Sequence, residues 1–206
     1  MKIKELCNKV KIEIDKRRKL IVFLSMIFTL LFALYNRIVG IINKSLWHES
    51  ISIYYFALVF IKLIIVLYIQ KSRKRKHDKL IFKLTKFLLI ILNVLLIVPI
   101  VLLIKNKRVV KMSLILSIAI ALYVTIKTTK VIINFIKKRK EIDILFKQLR
   151  LMDLIDVVVS VLTLQNTLIA VNSDGYDFGI YYLTISSSIV GLLINMMFTL
   201  KLTYNQ

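Results

Sequence analysis

Six long apolar stretches, separated by short loops, fill most of this chain and decide what it can fold into. They cover approximately residues 20–42, 51–70, 84–104, 109–134, 151–171 and 180–200. Each is close to the ~20 residues that a helix needs to cross a hydrocarbon core about 30 Å thick. With 58% hydrophobic residues and a mean hydropathy of +0.78, the 206-residue chain is too apolar for an ordinary soluble domain. The stretches lack the strict alternation of barrel strands, so they predict an all-α transmembrane bundle of six helices.

Basic residues are distributed unevenly between the two sides of such a bundle. Segments 1–19, 71–83 and 137–150, together with Lys201, carry 22 of the 32 Lys and Arg residues, whereas the opposite loops carry five. Because short basic loops stay in the cytoplasm, this pattern places both termini there. It predicts three consecutive helical hairpins. Residues 1–19 then form a basic amphipathic cytoplasmic segment, and residues 20–206 form a single transmembrane domain.

The net charge of +21 has two interpretations, nucleic acid or anionic lipid. Basic runs such as 71–76 (KSRKRK) and 137–140 (KKRK) lie directly beside apolar stretches. There each charge interacts with anionic headgroups by about 1 kcal/mol. Only short loops remain to contact a nucleic acid, so nucleic acid is not expected. We expect a lipid bilayer with anionic headgroups at the cytoplasmic loops, and we leave open a homo-oligomer or a membrane protein partner.

Charged residues inside the apolar stretches are where an activity is expected. Lys62 lies near the middle of the second stretch, and a lysine there costs roughly 2.5–3.5 kcal/mol on insertion scales. Asp153 and Asp156 lie at a depth that its side chain reaches, and we predict an ion pair between Lys62 and Asp156. Such a pair is either a stabilising contact or a relay for protons or substrate. Alternatively, Lys62 extends to the cytoplasmic face without a partner.

Neutral polar residues extend the candidate site along the fifth, sixth and first stretches. Most fall on one side of each helix, whereas Gln165 projects nearly opposite the aspartates. Arg37 is expected to pair with Glu49 or Asp174. Polar faces avoid lipid either by packing on one another or by lining a cavity. The intramembrane candidates are Lys62, Asp153, Asp156, Ser160, Thr163, Gln165, Ser188, Asn195, Asn36 and Arg37.

The second and fourth stretches are similar at an offset of 65 residues. Ile61-Lys62 aligns with Ile126-Lys127, and each stretch runs into a basic cluster. The alignment indicates either a duplicated two-helix unit, as in some transporters, or chance identity in a chain rich in Ile and Lys. The fourth stretch is the weakest of the six. We expect its lysines, Lys127 included, to extend along the helix toward the membrane surface.

Aromatic residues cluster at the tip of the first predicted hairpin. Trp47, Tyr54 and Tyr55 lie near the start of the second stretch. Tryptophan and tyrosine are enriched where a membrane meets water, because one end of each side chain is apolar and the other polar. The sequence therefore predicts that these three residues form part of an interfacial belt.

Catalytic and metal-binding patterns are missing from the sequence. Cys7 is the single cysteine, and neither His48 nor His77 has a metal-ligating partner at helical spacing. There is no HExxH, GxSxG or Walker pattern. We therefore predict that the chain is not an enzyme and has no metal or cofactor.

Two segments carry a resemblance to a known group of proteins. They are 33–62 (ALYNRIVGIINKSLWHESISIYYFALVFIK) and 149–170 (LRLMDLIDVVVSVLTLQNTLIA). They resemble an uncharacterised group of small six-span membrane proteins from low-GC Gram-positive bacteria. The resemblance implies a bacterial plasma membrane and no particular activity. Two function classes follow, a small permease or ion-conducting protein, and a non-transporting scaffold or accessory subunit that binds a protein partner or anionic lipid.

Overall fold

Six long α-helices make up this computed structural model of the protein. The structure describes residues 2–71, 78–106, 113–137, 144–172 and 178–204, with the side chains of 2–19 and of several residues at the helix ends excepted. The described residues contain no strand, which confirms the predicted all-α fold class. The helices are α1 (Lys2–Asn43), α2 (Leu46–Lys71), α3 (Asp78–Asn106), α4 (Leu114–Lys137), α5 (Ile144–Asn172) and α6 (Phe178–Tyr204).

The outer surface of the helices is strongly apolar. Over the described residues, five helices are long and apolar enough to cross a membrane. The corresponding part of α6, Tyr182–Met197, is shorter, so the sixth predicted span stays a prediction. Large apolar side chains such as Ile115 and Leu122 are mostly exposed. Continuous apolar surface of this kind is unfavourable in water and favourable in lipid. The helices are therefore compatible with a multi-pass membrane protein.

The basic N-terminal segment is continuous with the first span. Helix α1 begins at Lys2 and runs to Asn43 without a break. At 1.5 Å per residue its 42 residues extend for about 63 Å, roughly twice the thickness of a hydrocarbon core. The side chains of residues 1–19 lie outside the described part of the chain. Their predicted amphipathic, interfacial character therefore stays a prediction.

A tight turn joins α1 to α2 and sets their antiparallel packing. The Ser45 amide donates to the Gly40 carbonyl at 2.9 Å, and Lys44 adopts a left-handed φ of 50°. A Cβ atom at Gly40 would lie 2.9 Å from the backbone nitrogen of Glu49, closer than a real Cβ approaches backbone. Glycine at this position therefore allows the two helix backbones to touch.

Helix α5 has the most neighbours of the described helices. Helix α2 packs on α1, α3 and α5, and α5 packs on every other helix. Helices α3 and α4 make no backbone contact within the described residues, so the second of the three predicted hairpins is not a packed pair. Helix α3 instead packs mainly beside α2 and α6, and α4 packs beside α5.

Candidate functional site

Two lysines and two aspartates meet where side chains of α1, α2, α4 and α5 converge. We call these four residues, Lys62, Lys127, Asp153 and Asp156, the charged cluster. The side chains of Lys62 and Asp156 are each 1% exposed, Lys127 is 8% exposed and Asp153 is 25% exposed. The formal charges sum to zero. Ions in an apolar interior need such pairing, because an isolated charge there costs several kcal/mol.

Lys62 bridges the two aspartates of α5. Its Nζ donates to Asp153 Oδ1 at 2.8 Å and to Asp156 Oδ2 at 3.1 Å. The ion pair predicted between Lys62 and Asp156 is therefore present, and Asp153 shares the same ammonium. The spacing of the two aspartates explains this, because residues three apart lie on one face of a helix.

Asp156 connects three other helices through one carboxylate. Its Oδ2 accepts from Lys62 of α2 and, at 2.6 Å, from Thr29 Oγ1 of α1. Its Oδ1 accepts from Lys127 Nζ of α4. Both carboxylate oxygens are thus engaged by donors from outside α5, which makes Asp156 the residue on which the cluster depends most.

Three aromatic rings surround Lys127. Its Nζ lies 5.3 Å from the ring centroids of Phe32 and Tyr55 and 5.2 Å from that of Tyr123. Each distance is within the range of a cation–π interaction. Phe32 stacks on Tyr123 at 4.5 Å and meets Tyr55 edge-on at 4.9 Å. The same Nζ donates to Ser160 Oγ at 2.9 Å. The rings thus add favourable contacts to an ammonium that is largely buried.

Hydroxyl groups extend the cluster at both ends. At one end Ser25 Oγ donates to Asp153 Oδ1 at 2.7 Å. At the other end Tyr55 OH and Ser160 Oγ are 3.0 Å apart, and either can be the donor. Asp153 is partly exposed, whereas Tyr55 is fully buried. The polar groups therefore form one connected series that is accessible at the Asp153 end and closed at the Tyr55 end. In order they are Ser25, Asp153, Lys62, Asp156, Lys127, Ser160 and Tyr55.

A second set of polar contacts lies along α6 and contains no charge. Asn195 Nδ2 donates to Tyr54 OH at 3.3 Å, and Asn166 Nδ2 donates to Ser188 Oγ at 3.4 Å. We call these two pairs the α6 amide contacts. The Oδ1 atoms of Asn195 and Asn166 are buried and have no hydrogen-bond partner among the described residues. Thr163 is also buried, and its hydroxyl donates back to its own helix.

The remaining candidates lie apart from the charged cluster. Asn36 Oδ1 is 2.9 Å from His48 Nδ1, near the turn that joins α1 to α2. Arg37 pairs with Glu49 at 3.7 Å, and both side chains are substantially exposed. Glu49 is one of its two expected partners, and the other, Asp174, lies outside the described residues. Gln165 is half-buried and makes no side-chain hydrogen bond in the described part of the chain.

Lys127 is the member of the cluster that sequence analysis misplaced. The expectation that its side chain extends toward the membrane surface is wrong, because Asp156 and the aromatic rings hold it inside the bundle. One sequence signal pointed to this position. The alignment of α2 with α4 at an offset of 65 residues pairs Lys62 with Lys127, and both lysines reach the same aspartate.

The first-hairpin aromatics do not form a belt on the outer surface of the bundle, and their depth in a membrane stays a prediction. Trp47, Tyr54 and Tyr55 are all buried in the protein. The two tyrosines find polar partners there, since Tyr54 accepts from Asn195 and Tyr55 contacts Ser160. A tyrosine whose hydroxyl has an internal partner no longer needs the membrane surface. Aromatic type and proximity to a loop did not reveal this.

No protein-family model, curated protein or solved structure matches the chain. The described residues contain no group of three or more His, Cys, Asp or Glu side chains that could hold a metal ion. The groups at the site are ammonium, carboxylate and hydroxyl, all of which can donate or accept hydrogen bonds.

Proposed function

We propose that the chain is a small permease or ion-conducting protein in which the charged cluster couples transport to proton or cation movement. The observation that carries this proposal is a cluster of three buried ionisable side chains and a partly exposed fourth, where apolar residues would pack as well. Replacing a buried ion pair with apolar residues of similar volume is often neutral or stabilising, so stability alone does not account for the cluster. Intramembrane ions of this kind are found in proton relays and substrate pathways.

The unequal exposure of the two aspartates indicates at which of them a proton or cation arrives. Asp153 is 25% exposed and Asp156 is 1% exposed, and Lys62 contacts both. A proton or cation that reaches Asp153 weakens its hold on Lys62, and the ammonium then depends on Asp156. Lys62 thus has two arrangements, and a ligand that prefers one of them shifts the balance between them. Movement beyond Ser160 requires the closed Tyr55 end to open.

The proposed setting is the plasma membrane of a bacterium, with six spans and both termini in the cytoplasm. The strongly basic segments 1–19, 71–83 and 137–150 support this orientation, because short basic loops remain on the cytoplasmic side. In this orientation Asp153 lies in the cytoplasmic half of the bundle. Anionic headgroups are the proposed partners of the basic segments.

A second candidate function is a non-transporting scaffold or accessory subunit. It is favoured by the complete pairing of the cluster, since each of its four charged groups contacts at least one opposite charge. It is also favoured by close packing of α5 on α6, where a Cβ at Gly191 would overlap Leu162. In this alternative the cluster holds α1, α2, α4 and α5 together and nothing passes through.

Reconstitution into liposomes separates the two functions. The wild-type chain is expected to carry protons or a monovalent cation under an imposed gradient, measured with an internal fluorescent reporter. The double variant Lys127→Met with Asp156→Leu removes one charge of each sign and leaves the Lys62–Asp153 pair. We expect it to fold and to lose transport down to the level of empty liposomes.

Two controls accompany the transport measurement. Lys71→Met removes an exposed lysine from the same helix as Lys62 and is expected to leave transport unchanged. Circular dichroism and size-exclusion profiles establish that each variant is folded. Wild-type flux no greater than that of empty liposomes contradicts the permease proposal and favours the scaffold. Full flux in a folded double variant contradicts the role of the charged cluster.

A further inference from the structure

A cavity of about 290 Å³ opens sideways between α1 and α4. It lies close to the lower end of the roughly 300–1,000 Å³ that is typical of ligand pockets. The described backbones of the two helices do not pack on each other, although the Tyr123 hydroxyl donates to the Phe28 carbonyl at 2.7 Å. The lining residues Leu24 and Ile126 are exposed on the outer surface of the bundle. The mouth of the cavity therefore faces the same apolar surroundings as the helices. An occupant must reach it from those surroundings.

The lining of the cavity is mainly apolar but carries one positive charge for which the described residues supply no counter-ion. Its charged residues are Asp153, Lys127 and Lys130. The first two belong to the neutral charged cluster. The Lys130 ammonium lies 4.5 Å from the centroid of the Phe28 ring and has no acidic partner among the described residues. The cavity together with the cluster therefore has an excess of one positive charge, which a single anionic group would neutralise.

Lys130 lies at a depth that a lipid headgroup can approach. The apolar span of α4 ends at Ile136, less than two helical turns beyond Lys130. A lysine stem can follow the helix surface and bring its ammonium toward the membrane surface. The ammonium itself lies over the Phe28 ring, and Lys130 is an exposed charged group at the edge of an otherwise mainly apolar cleft.

We infer that this cavity binds an anionic membrane phospholipid, with one acyl chain between α1 and α4 and the phosphate on Lys130. The volume suits part of one chain rather than a whole lipid, and the lateral opening allows entry from the bilayer. A zwitterionic lipid brings its own ammonium and leaves the charge of Lys130 uncompensated. The inference goes beyond the proposed transport and does not depend on it.

Competition between lipids tests this inference directly. The full-length protein is purified in a non-ionic detergent, stripped of lipid and mixed with equal amounts of phosphatidylglycerol and phosphatidylcholine. Native mass spectrometry counts the molecules of each that remain bound. We expect phosphatidylglycerol to be preferred, and we expect Lys130→Gln to lower that preference about fivefold, the effect of one basic charge at a lipid surface.

Three further variants distinguish the effects of the Lys130 charge, of the space in the cavity and of other basic residues on lipid binding. Lys130→Arg keeps the charge and is expected to keep the preference. Val131→Trp fills the cavity without changing the charge and is expected to lower the binding of both lipids. Lys86→Gln removes a lysine of α3 at a comparable distance from its helix end and is expected to have no effect.

The outcomes that would overturn the inference are specific. Equal binding of the two lipids by the wild-type protein contradicts it. So does a loss of preference in Lys86→Gln as large as that in Lys130→Gln, because the basic loops would then attract the lipid without the cavity. Displacement of phosphatidylglycerol by an equal amount of dodecanoate also contradicts it, since a single-chain carboxylate would be the better occupant.

Discussion

The charged cluster and the α6 amide contacts are two polar regions of one apolar bundle, and they are built differently. Asp156 is engaged on both carboxylate oxygens by three side chains from three helices. Asn195 and Asn166 each donate one long hydrogen bond and leave a buried oxygen without a described partner. An unpaired charge in an apolar interior costs far more than an unpaired amide oxygen. Every charged group of the charged cluster therefore needs a partner, whereas the amide oxygens of the α6 amide contacts do not.

The difference implies that the two regions hold their helices in different ways. The charged cluster ties α1, α2, α4 and α5 through directional contacts that depend on one another. Helix α6 packs closely on α5 at Gly191, which leaves no room for a Cβ beside Leu162, and its described hydrogen bonds to other helices join neutral groups only. Small residues that allow close helix approach are the commoner means of association in membranes. We therefore expect the effects of substitutions to be large and coupled in the cluster, and local along α6.

The largest effect is expected from Asp156→Leu. The substitution leaves Lys127 without a carboxylate and leaves Lys62 dependent on Asp153 alone. Removing one partner of a buried ion pair costs about 3–5 kcal/mol. This loss is measured as a decrease in the free energy of unfolding during titration of the detergent-solubilised protein with dodecyl sulfate. Glu49→Gln removes an exposed carboxylate that also pairs with a basic residue and is the matched control, expected to cost less than 1 kcal/mol. Equal effects of the two substitutions would show that the buried ion pairs of Asp156 stabilise the protein no more than the Arg37–Glu49 pair does.

An intermediate effect is expected from Gly191→Ala. The added Cβ would overlap Leu162 Cδ1 and lie 2.6 Å from its Cγ, so the leucine or the helix must move. Overpacking of this kind costs about 1–3 kcal/mol. The same titration measures the loss. Combining Gly191→Ala with Leu162→Ala should cost less than the sum of the two single changes, because the shortened side chain makes room. Strict additivity would show that the two residues are not in contact.

The smallest effect is expected from Asn195→Leu. The change removes one hydrogen bond to Tyr54, and such bonds contribute about 0.6 kcal/mol on average in a membrane protein. It also removes a buried oxygen without a described partner, which offsets part of that loss. We expect a change below 1 kcal/mol in the free energy of unfolding, with Tyr54→Phe giving a similar value. A loss above 2 kcal/mol would show that the α6 amide contacts contribute to the free energy of unfolding on a scale similar to the charged cluster.

The sequence determines where helices form along the chain more directly than it determines which helices pack together. Apolar length is a local property, and it predicted the all-α fold. The Lys62–Asp156 pair was predicted as well, because a lysine within an apolar stretch needs a counter-ion at matching depth. The separation of α3 from α4 depends on contacts between distant segments, which periodicity does not encode.

Two residues show the same limit at the site. Lys127 lies near the end of its apolar stretch. The sequence is therefore compatible both with a side chain that extends toward the membrane surface and with one that is buried in the bundle. Tyr55 lies near a loop, so the sequence is also compatible with a position of this residue at the membrane surface. In each case the deciding residue is on another helix, Asp156 for the lysine and Ser160 for the tyrosine.

The most direct test of the charged cluster is the coupling between Lys127 and Asp156. A double-mutant cycle with Lys127→Met and Asp156→Leu measures it as the difference between the cost of the double variant and the summed costs of the single variants. We predict that the double variant is more stable than either single variant, with a coupling of about 2 kcal/mol or more, because it removes the pair together. Additive costs, agreeing within about 0.5 kcal/mol, would show that the two charges do not depend on each other and would contradict the account.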